Sequence, residues 1–257
     1  MAKKYYVVWQ GRQTGIFTDW DTCRKQVDKF PAAKYKSFPT RAEAEAAFAQ
    51  GRPTATAKSE KSTTPKKRSS AQGTKTYSSA EVDAVVADTK IFTDGGCDPN
   101  PGEAGSGVAV YRGEVIDELW YGLYNPLGTN NTAELHALNQ ALLMVPKEID
   151  KNRSVAIFCD SKYAIQCVTQ WAVGWEKKGW VRKDGEIKNL ELIQNIYATY
   201  QTLKDDVQVL HVNGHVGVEG NELADRMSMV AIRTRETGFK RYPDPIDIGS
   251  LLAMRSG

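Results

Sequence analysis

Between Gly51 and about Asp88 the chain changes character, and this break limits the fold more than any other feature. Ser, Thr, Lys, Ala and Gly dominate the stretch, Tyr77 is its only aromatic residue, and Pro53 and Pro65 fall without periodicity. Such a segment cannot bury enough apolar surface to offset its chain entropy, so it reads as a flexible linker. The 257 residues therefore separate into a small unit over 1–50, a linker over 51–88, a large unit over 89–237 and a tail over 238–257.

The break is also electrostatic. Residues 1–50 hold nine Lys/Arg against five Asp/Glu, residues 51–88 seven against four, and residues 89–257 eighteen against twenty-two. The net charge of +3 thus hides a basic first third joined to an acidic remainder. This is the pattern of a polyanion-binding module attached to a unit that uses carboxylates. No apolar run approaches the ~18 residues of a membrane span, and no signal-peptide core follows Met1. The four cysteines, Cys23, Cys97, Cys159 and Cys167, lack CxxC pairing. A cytoplasmic protein with no membrane partner is expected. Lys66-Lys67-Arg68 reads as a solvated charge run, with a nuclear address as the alternative.

Within the first unit, Tyr5-Tyr6-Val7-Val8-Trp9 is a β-type run, and Ile16-Phe17 opens a second strand after a Gly-bounded turn. Trp20, Cys23 and Val27 have helical spacing behind Thr18 or Asp19 as N-cap. Tyr35–Phe38 is a further short strand, and Thr40-Arg-Ala-Glu43 is a capping box opening an alanine-rich helix. The order is ββαβα. From Thr89, strands over 90–94, 105–112 and 115–123 precede a helix over 131–145 and a buried strand over 155–159. Helices over 161–171 and 188–203, a strand over 207–212 and a helix over 219–234 follow. This α/β order predicts a five-stranded mixed sheet, an antiparallel meander extended by parallel strands, with flanking helices.

Four carboxylates fall where helix and strand chemistry does not need all of them. Asp94 and Asp160 are expected at the C-terminal ends of strands, Glu134 in the first turn of a helix, and Asp225 inside the last helix. Each has an ordinary alternative: a turn former at Asp94, a capping partner at Glu134, a cap at Asp160, a solvated charge at Asp225. Converging, they would repel one another unless divalent cations neutralised them. Hard oxygen donors select Mg²⁺ or Mn²⁺ over zinc, and a pair of such ions suits phosphodiester hydrolysis.

At these residues the sequence resembles the type 1 ribonucleases H, which cut the RNA strand of RNA–DNA hybrids. TDGGCDPNPG (93–102), GTNNTAEL (128–135), FCDSKYAI (158–165) and HVGVEGNELAD (215–225) match that family's active-site segments in order. The resemblance covers about residues 89–234 and implies a two-metal hydrolysis leaving 3′-hydroxyl and 5′-phosphate ends. It makes Asp94, Glu134, Asp160 and Asp225 the ligands of two Mg²⁺, with Mn²⁺ as a substitute, and His215 an assisting group. It places Cys97, Asn100, Thr129, Asn130 and Asn131 against the hybrid. Trp171, Lys177, Lys178 and Trp180 resemble the family's basic protrusion, which Glu176 interrupts. Lys162 departs from the uncharged residue common in relatives.

Residues 5–38 in turn resemble the small hybrid-binding, viroplasmin-like domain found ahead of such catalytic domains. That likeness puts Tyr6, Trp20, Lys34, Tyr35 and Lys36 on a duplex-binding face and admits duplex RNA as a second ligand. Ser37 replaces a frequent lysine, while Trp9, Phe17 and Phe30 are assigned to the small core. The expected protein is a monomeric hybrid-cleaving enzyme. Its rivals are a catalytically silent hybrid-binding protein, disfavoured because all four carboxylates are present, and a different nuclease or integrase of the same fold.

Overall fold

The computed structural model describes residues 5–28, 30, 33–49, 74–182, 185–214 and 217–257. The chain divides into two compact units, Met1–Ser69 and Ser70–Gly257.

In the first unit, β1 (Tyr5–Gln10), β2 (Gly15–Phe17), α1 (Trp20–Val27), β3 (Lys34–Phe38) and α2 (Arg41–Ala49) follow the expected ββαβα order. The strands form an antiparallel sheet in the order β2-β1-β3. Asp19 is the N-cap of α1, its carboxylate accepting the Thr22 amide at 2.7 Å. The four-residue spacing of Cys23 and Val27 puts both on one helix face, where they bury against Val8. Trp9 is held on the α2 side, donating from its indole N–H to the Ala47 carbonyl at 3.2 Å and meeting Phe38 edge-on.

The second unit begins earlier than the composition suggested. Residues 51–73 of the expected linker lie outside the described residues, but β4 (Thr76–Tyr77) and α3 (Ser79–Asp83) are built into the domain. β4 adds a parallel edge strand to the sheet, Val82 of α3 is buried, and Lys90 donates from Nζ to the Val82 carbonyl at 3.0 Å. Then come β5 (Thr89–Asp98), β6 (Gly102–Arg112), β7 (Val115–Gly128), α4 (Asn130–Ile149) and β8 (Val155–Cys159). α5 (Lys162–Gln166) runs through a wide π-type turn at Cys167–Trp171 into α6 (Ala172–Glu176). α7 (Leu190–Leu203), β9 (Val207–Val212), α8 (Glu219–Thr234), β10 (Phe239–Arg241) and α9 (Ile248–Leu252) complete the unit.

The sheet has seven strands in the order β10-β7-β6-β5-β8-β9-β4. Its central five are the expected meander and parallel strands, and β10 and β4 extend its two edges. One face packs Ile91, Ile157, Leu138 and Leu142 under α4 and α7. The other packs Phe92, Phe158, Leu119 and Met227 under α8, with the Phe92 and Phe158 rings stacked at 4.9 Å. Asp94 does not end its strand as expected. β5 continues to Asp98, because Gly95 and Gly96 pair with Ser106 and Gly105 of β6 instead of turning the chain.

A buried carboxylate ties α4 to this sheet. Glu148 is 3% exposed and accepts from Thr89 Oγ1 at 3.0 Å, Arg112 Nη2 at 2.7 Å and Arg153 Nη1 at 3.0 Å. It thus joins the end of α4 to β5, to β6 and to the turn before β8. The Arg112 hydrogen bond is the largest cause holding its pKa down at about 2, against an ordinary 4.5. A depressed carboxylate contributes stability that is present above its unfolded pKa and is lost as pH falls towards the folded one. Glu148→Gln should therefore cost about 2–3 kcal/mol at pH 7. The deficit, read by urea unfolding of the two proteins, should narrow as pH falls from 4.5 towards 2.

Candidate active site

The parallel register of β5 and β8 builds the centre of the site. Thr93 lies opposite Cys159, so the next residues along each chain, Asp94 and Asp160, emerge side by side at one strand spacing. Alternation along β5 sends Asp94 to the face covered by α8, with Phe92 and Gly96, and turns Gly95 towards α4. A Cβ at Gly95 would overlap the backbone of Glu134, and one at Gly107 would overlap the Ala224 carbonyl. Bare backbone at these two points lets α4 and α8 close on the sheet and bring Glu134 and Asp225 to the aspartates.

The local reasons are equally specific. Thr129, not Asn131, is the N-cap of α4, its hydroxyl accepting the Thr132 amide at 3.2 Å, so Glu134 sits in the second turn and not the first. Ser161 caps α5, accepting the Ala164 amide at 3.2 Å, and leaves Asp160 outside the helix. On α8, Asp225 shares a face with Asn221 and Ser228. Ser228 Oγ joins Asp94 Oδ2 at 3.1 Å to the Asp225 carbonyl at 2.8 Å. Asn221 donates from Nδ2 to Asp160 Oδ2 at 3.2 Å. The Asp160 carbonyl lies 2.9 Å from Nε2 of buried His211, whose Nδ1 is 2.9 Å from Thr76 Oγ1. Sequence reasoning missed Asn221, Ser228 and His211. The first two were accessible from their i−4 and i+3 spacing to Asp225; nothing local marked His211.

Electrostatically the cluster is costly. Asp94 is 5% exposed, and burial, then the charges of Asp160 and Asp225, raise its pKa well above the usual carboxylate range. Burial and then Asp94 and Asp160 do the same to Glu134. The Gly95 amide, hydrogen-bonded to both, opposes the shift without cancelling it. Glu134 Oε2 is buried without a hydrogen-bond partner among the described residues. Ligand atoms of Glu134, Cys159 and Asp160 all lie within 4.8 Å of one another. The Cys159 thiol is pushed up by burial and by the two carboxylates, so it stays protonated and the donors are carboxylate oxygens. Neighbouring buried carboxylates with an unsatisfied oxygen fit a divalent cation of the hard class.

Beside this cluster runs a groove lined by Asn100, Thr129, Asn131, Tyr163, Trp171, Trp175, Arg182 and Lys188. Asn100 Oδ1 accepts the Asn130 amide at 3.3 Å, and Cys97 Sγ lies 3.6 Å from the Gly128 carbonyl, which ties the β5 end to the start of α4. Lys177 and Lys178 are exposed at the end of α6. Trp180 is placed differently from the expectation: it is half-buried, packs edge-on against Tyr197, and belongs to the α4 face of the core. Trp175 takes the groove position instead, one helical turn from Trp171, a spacing the sequence already displayed. Glu176 accepts from the Tyr197 hydroxyl at 3.0 Å. His215 lies outside the described residues.

In the first unit, Tyr6, Trp20 and Tyr35 form a continuous aromatic strip, with ring centroids 5.5 and 5.8 Å apart. Trp20 is 41% and Tyr35 46% exposed, so this strip is not core. Strand alternation places Lys34 and Lys36 on the other face of β3, Lys36 with its Nζ 5.6 Å from the Phe38 ring centroid.

Comparison with known proteins gives two family matches: RNase H over residues 86–233, and Ribonuclease H1 N-terminal domain over residues 4–48. Ribonuclease H1 of Mus musculus is 32% identical over 264 residues, spanning 90% of this chain and 90% of that protein. Ribonuclease H1 of Homo sapiens is 32% identical over 263 residues with the same coverage of each. Ribonuclease H of Methylorubrum extorquens is 35% identical over 168 residues, 64% of this chain and 70% of that protein. Among solved structures, LC9-RNase H1, a type 1 RNase H with the type 2 active-site motif, aligns with a TM-score of 0.51 and 24% identity. The alignment covers 65% of this chain and 81% of that one, and it agrees with the fold described above.

The raised carboxylates carry a sign for stability. A carboxyl whose folded pKa is raised destabilises the metal-free protein as pH climbs through that window, because the unfolded chain ionises more readily. Asp94→Asn should therefore raise metal-free stability at pH 8 by about 1–3 kcal/mol and bring much less gain at pH 4. Denaturant unfolding in chelator at both values checks this, and equal effects at the two would remove the electrostatic account.

Proposed function

Since the chain belongs to the ribonuclease H family, with the family's hybrid-binding domain ahead of the catalytic one, we propose a two-domain endonuclease in which Asp94, Glu134, Asp160 and Asp225 hold two Mg²⁺ and hydrolyse the RNA strand of an RNA–DNA hybrid. The observation that carries the assignment is the buried carboxylate cluster, whose mutual repulsion and unsatisfied Glu134 oxygen call for cations. Bound there, such ions would supply an activated water and stabilise charge developing on the phosphodiester, with Mn²⁺ able to substitute for Mg²⁺.

The protein's own groups do the remaining work. Ser228 and Asn221 hydrogen-bond Asp94 and Asp160 and fix their orientation, so these carboxylates would be pre-positioned to hold the ions. Cys97, Asn100, Thr129, Asn130 and Asn131 are short polar side chains and amides suited to a minor groove carrying 2′-hydroxyls. Trp171 and Trp175, with Arg182 and Lys188, supply stacking and charge for the neighbouring strand. His215 is retained as the group that moves a proton or helps product release. Water attacks phosphorus, the P–O3′ bond breaks, and the ends are a 5′-phosphate and a 3′-hydroxyl. Tyr6, Trp20 and Tyr35 provide a stacking surface, with Lys34 and Lys36 as phosphate contacts from the edge of the sheet. The same surface admits duplex RNA. We propose a monomer acting in the cytoplasm.

Labelled hybrid, duplex RNA and duplex DNA, each with Mg²⁺ and with chelator, form the test. Only the hybrid with Mg²⁺ should be cut, and Asp94→Asn should bind it nearly as well while leaving it intact. Wild-type-like turnover in Asp94→Asn would remove the metal assignment. For the first unit, Trp20→Ala should weaken hybrid binding by ~1–3 kcal/mol. Deleting residues 1–50 should raise KM on long hybrids with kcat little changed. Equal KM for full-length and truncated protein would show that the unit is no substrate tether.

A further inference from the structure

The segment after α8 lies outside the family match, which ends at residue 233, yet it reaches the carboxylate cluster. β10 pairs with β7, and Tyr242 donates its amide to the Leu119 carbonyl at 2.7 Å. α9 then lies on α8, burying Leu251, with Ile248, Leu252 and Met254 against the core beneath that helix. Beyond α9 the chain turns back towards the site. Arg255 Nη2 approaches Asp98 Oδ2 at 3.4 Å, and the Gly257 amide donates to Asp225 Oδ1 at 3.0 Å. The other Asp225 oxygen is paired with Arg226 Nη1. Arg226 is itself held from the tail side, its Nη2 3.5 Å from the Leu252 carbonyl.

Both oxygens of one proposed ligand are therefore engaged by the chain itself. One contact is made by the last residue of the tail, and the other is backed by the Leu252 carbonyl at the end of α9. Asp225 is 1% exposed in this arrangement. A cation approaching Oδ1 from the side of the tail meets the Gly257 backbone 3.0 Å from that oxygen, so cation and tail compete for the same side of Asp225. The fit at Gly257 is close: a Cβ there would stand 3.0 Å from Asp225 Oδ1 and 3.2 Å from Met229 Sδ. We infer that residues 253–257 are an autoinhibitory strap, which competes with metal for Asp225 and holds the enzyme back at low divalent-cation concentration. The inference rests on the ribonuclease H reading of the carboxylates. Its first measurement, however, does not depend on catalysis.

Mn²⁺ binding, followed by electron paramagnetic resonance without substrate, is compared in the full chain, in a chain lacking residues 253–257, and in Gly257→Pro. The proline variant keeps the segment but has no amide hydrogen to donate. Loss of one net hydrogen bond corresponds to roughly three- to tenfold in affinity. Both variants should therefore bind Mn²⁺ about that much more tightly. Cleavage at limiting Mg²⁺ should rise in step, with kcat at saturating Mg²⁺ unchanged. Unchanged or weaker Mn²⁺ binding in Gly257→Pro overturns the strap, and so does equal Mn²⁺ affinity in the deleted and full chains. Failure of the ribonuclease H reading would look different: no hybrid cleavage by any of the three at saturating Mg²⁺.

Discussion

Close approach of two helices to a bare stretch of central strand governs this catalytic domain. β5 pairs with β6 on one side and β8 on the other, so its own position is over-determined by backbone hydrogen bonds. At Gly95 it meets α4 without a side chain between them, and at Gly107 its partner strand meets α8 in the same way. Those contacts bring Glu134 and Asp225 in from opposite faces of the sheet towards Asp94 and Asp160. A larger residue at either position would push a helix outward and carry its carboxylate with it. The cluster therefore depends on the absence of two side chains as much as on the presence of four.

The same packing creates the electrostatic problem that the site exploits. Buried carboxylates at strand spacing raise one another's pKa, and although Ser228 meets Asp94, Asn221 meets Asp160, and Arg226 and the Gly257 amide meet Asp225, Glu134 Oε2 has no partner among the described residues. Stability is maintained away from the site. Glu148 does the opposite work at the far end of α4, where Arg112, Arg153 and Thr89 satisfy its carboxylate and hold its pKa low. One helix thus carries a satisfied acid at its C-terminal end, which secures the fold, and near its N-terminus one whose Oε2 has no partner among the described residues.

Segments flanking the matched catalytic region also converge on the cluster. β4 reaches Asp160 through His211, and the chain after α9 reaches Asp225 directly. Composition marked the first as linker because Thr76 and Tyr77 sit among Ser, Thr and Lys residues. Two residues of edge strand need little apolar content, since they gain backbone pairing from β9 and burial from α3 behind them.

What the sequence determined by itself was everything carried by local periodicity or by ordered motifs. That includes the ββαβα unit, the order of the five central strands of the larger unit, and an exposed Trp20 and Tyr35. These follow from which faces are apolar and from residue types placed at fixed offsets, and both survive in one dimension. Tertiary structure alone decided that Asp94 stands in mid-strand, because only pairing with β6 shows that Gly95-Gly96 extends the strand instead of breaking it. It alone decided that Trp175 and not Trp180 faces the groove, since α6 ends at Glu176 and the turn after it, with Gly179 and Trp180 both at positive φ, lays Trp180 against Tyr197. It also gave Ser228, Asn221 and His211 their partners and brought Gly257 to Asp225. Contacts across 30 to 135 positions are set by how sheets and helices close on one another, and no local pattern in the chain encodes that closure.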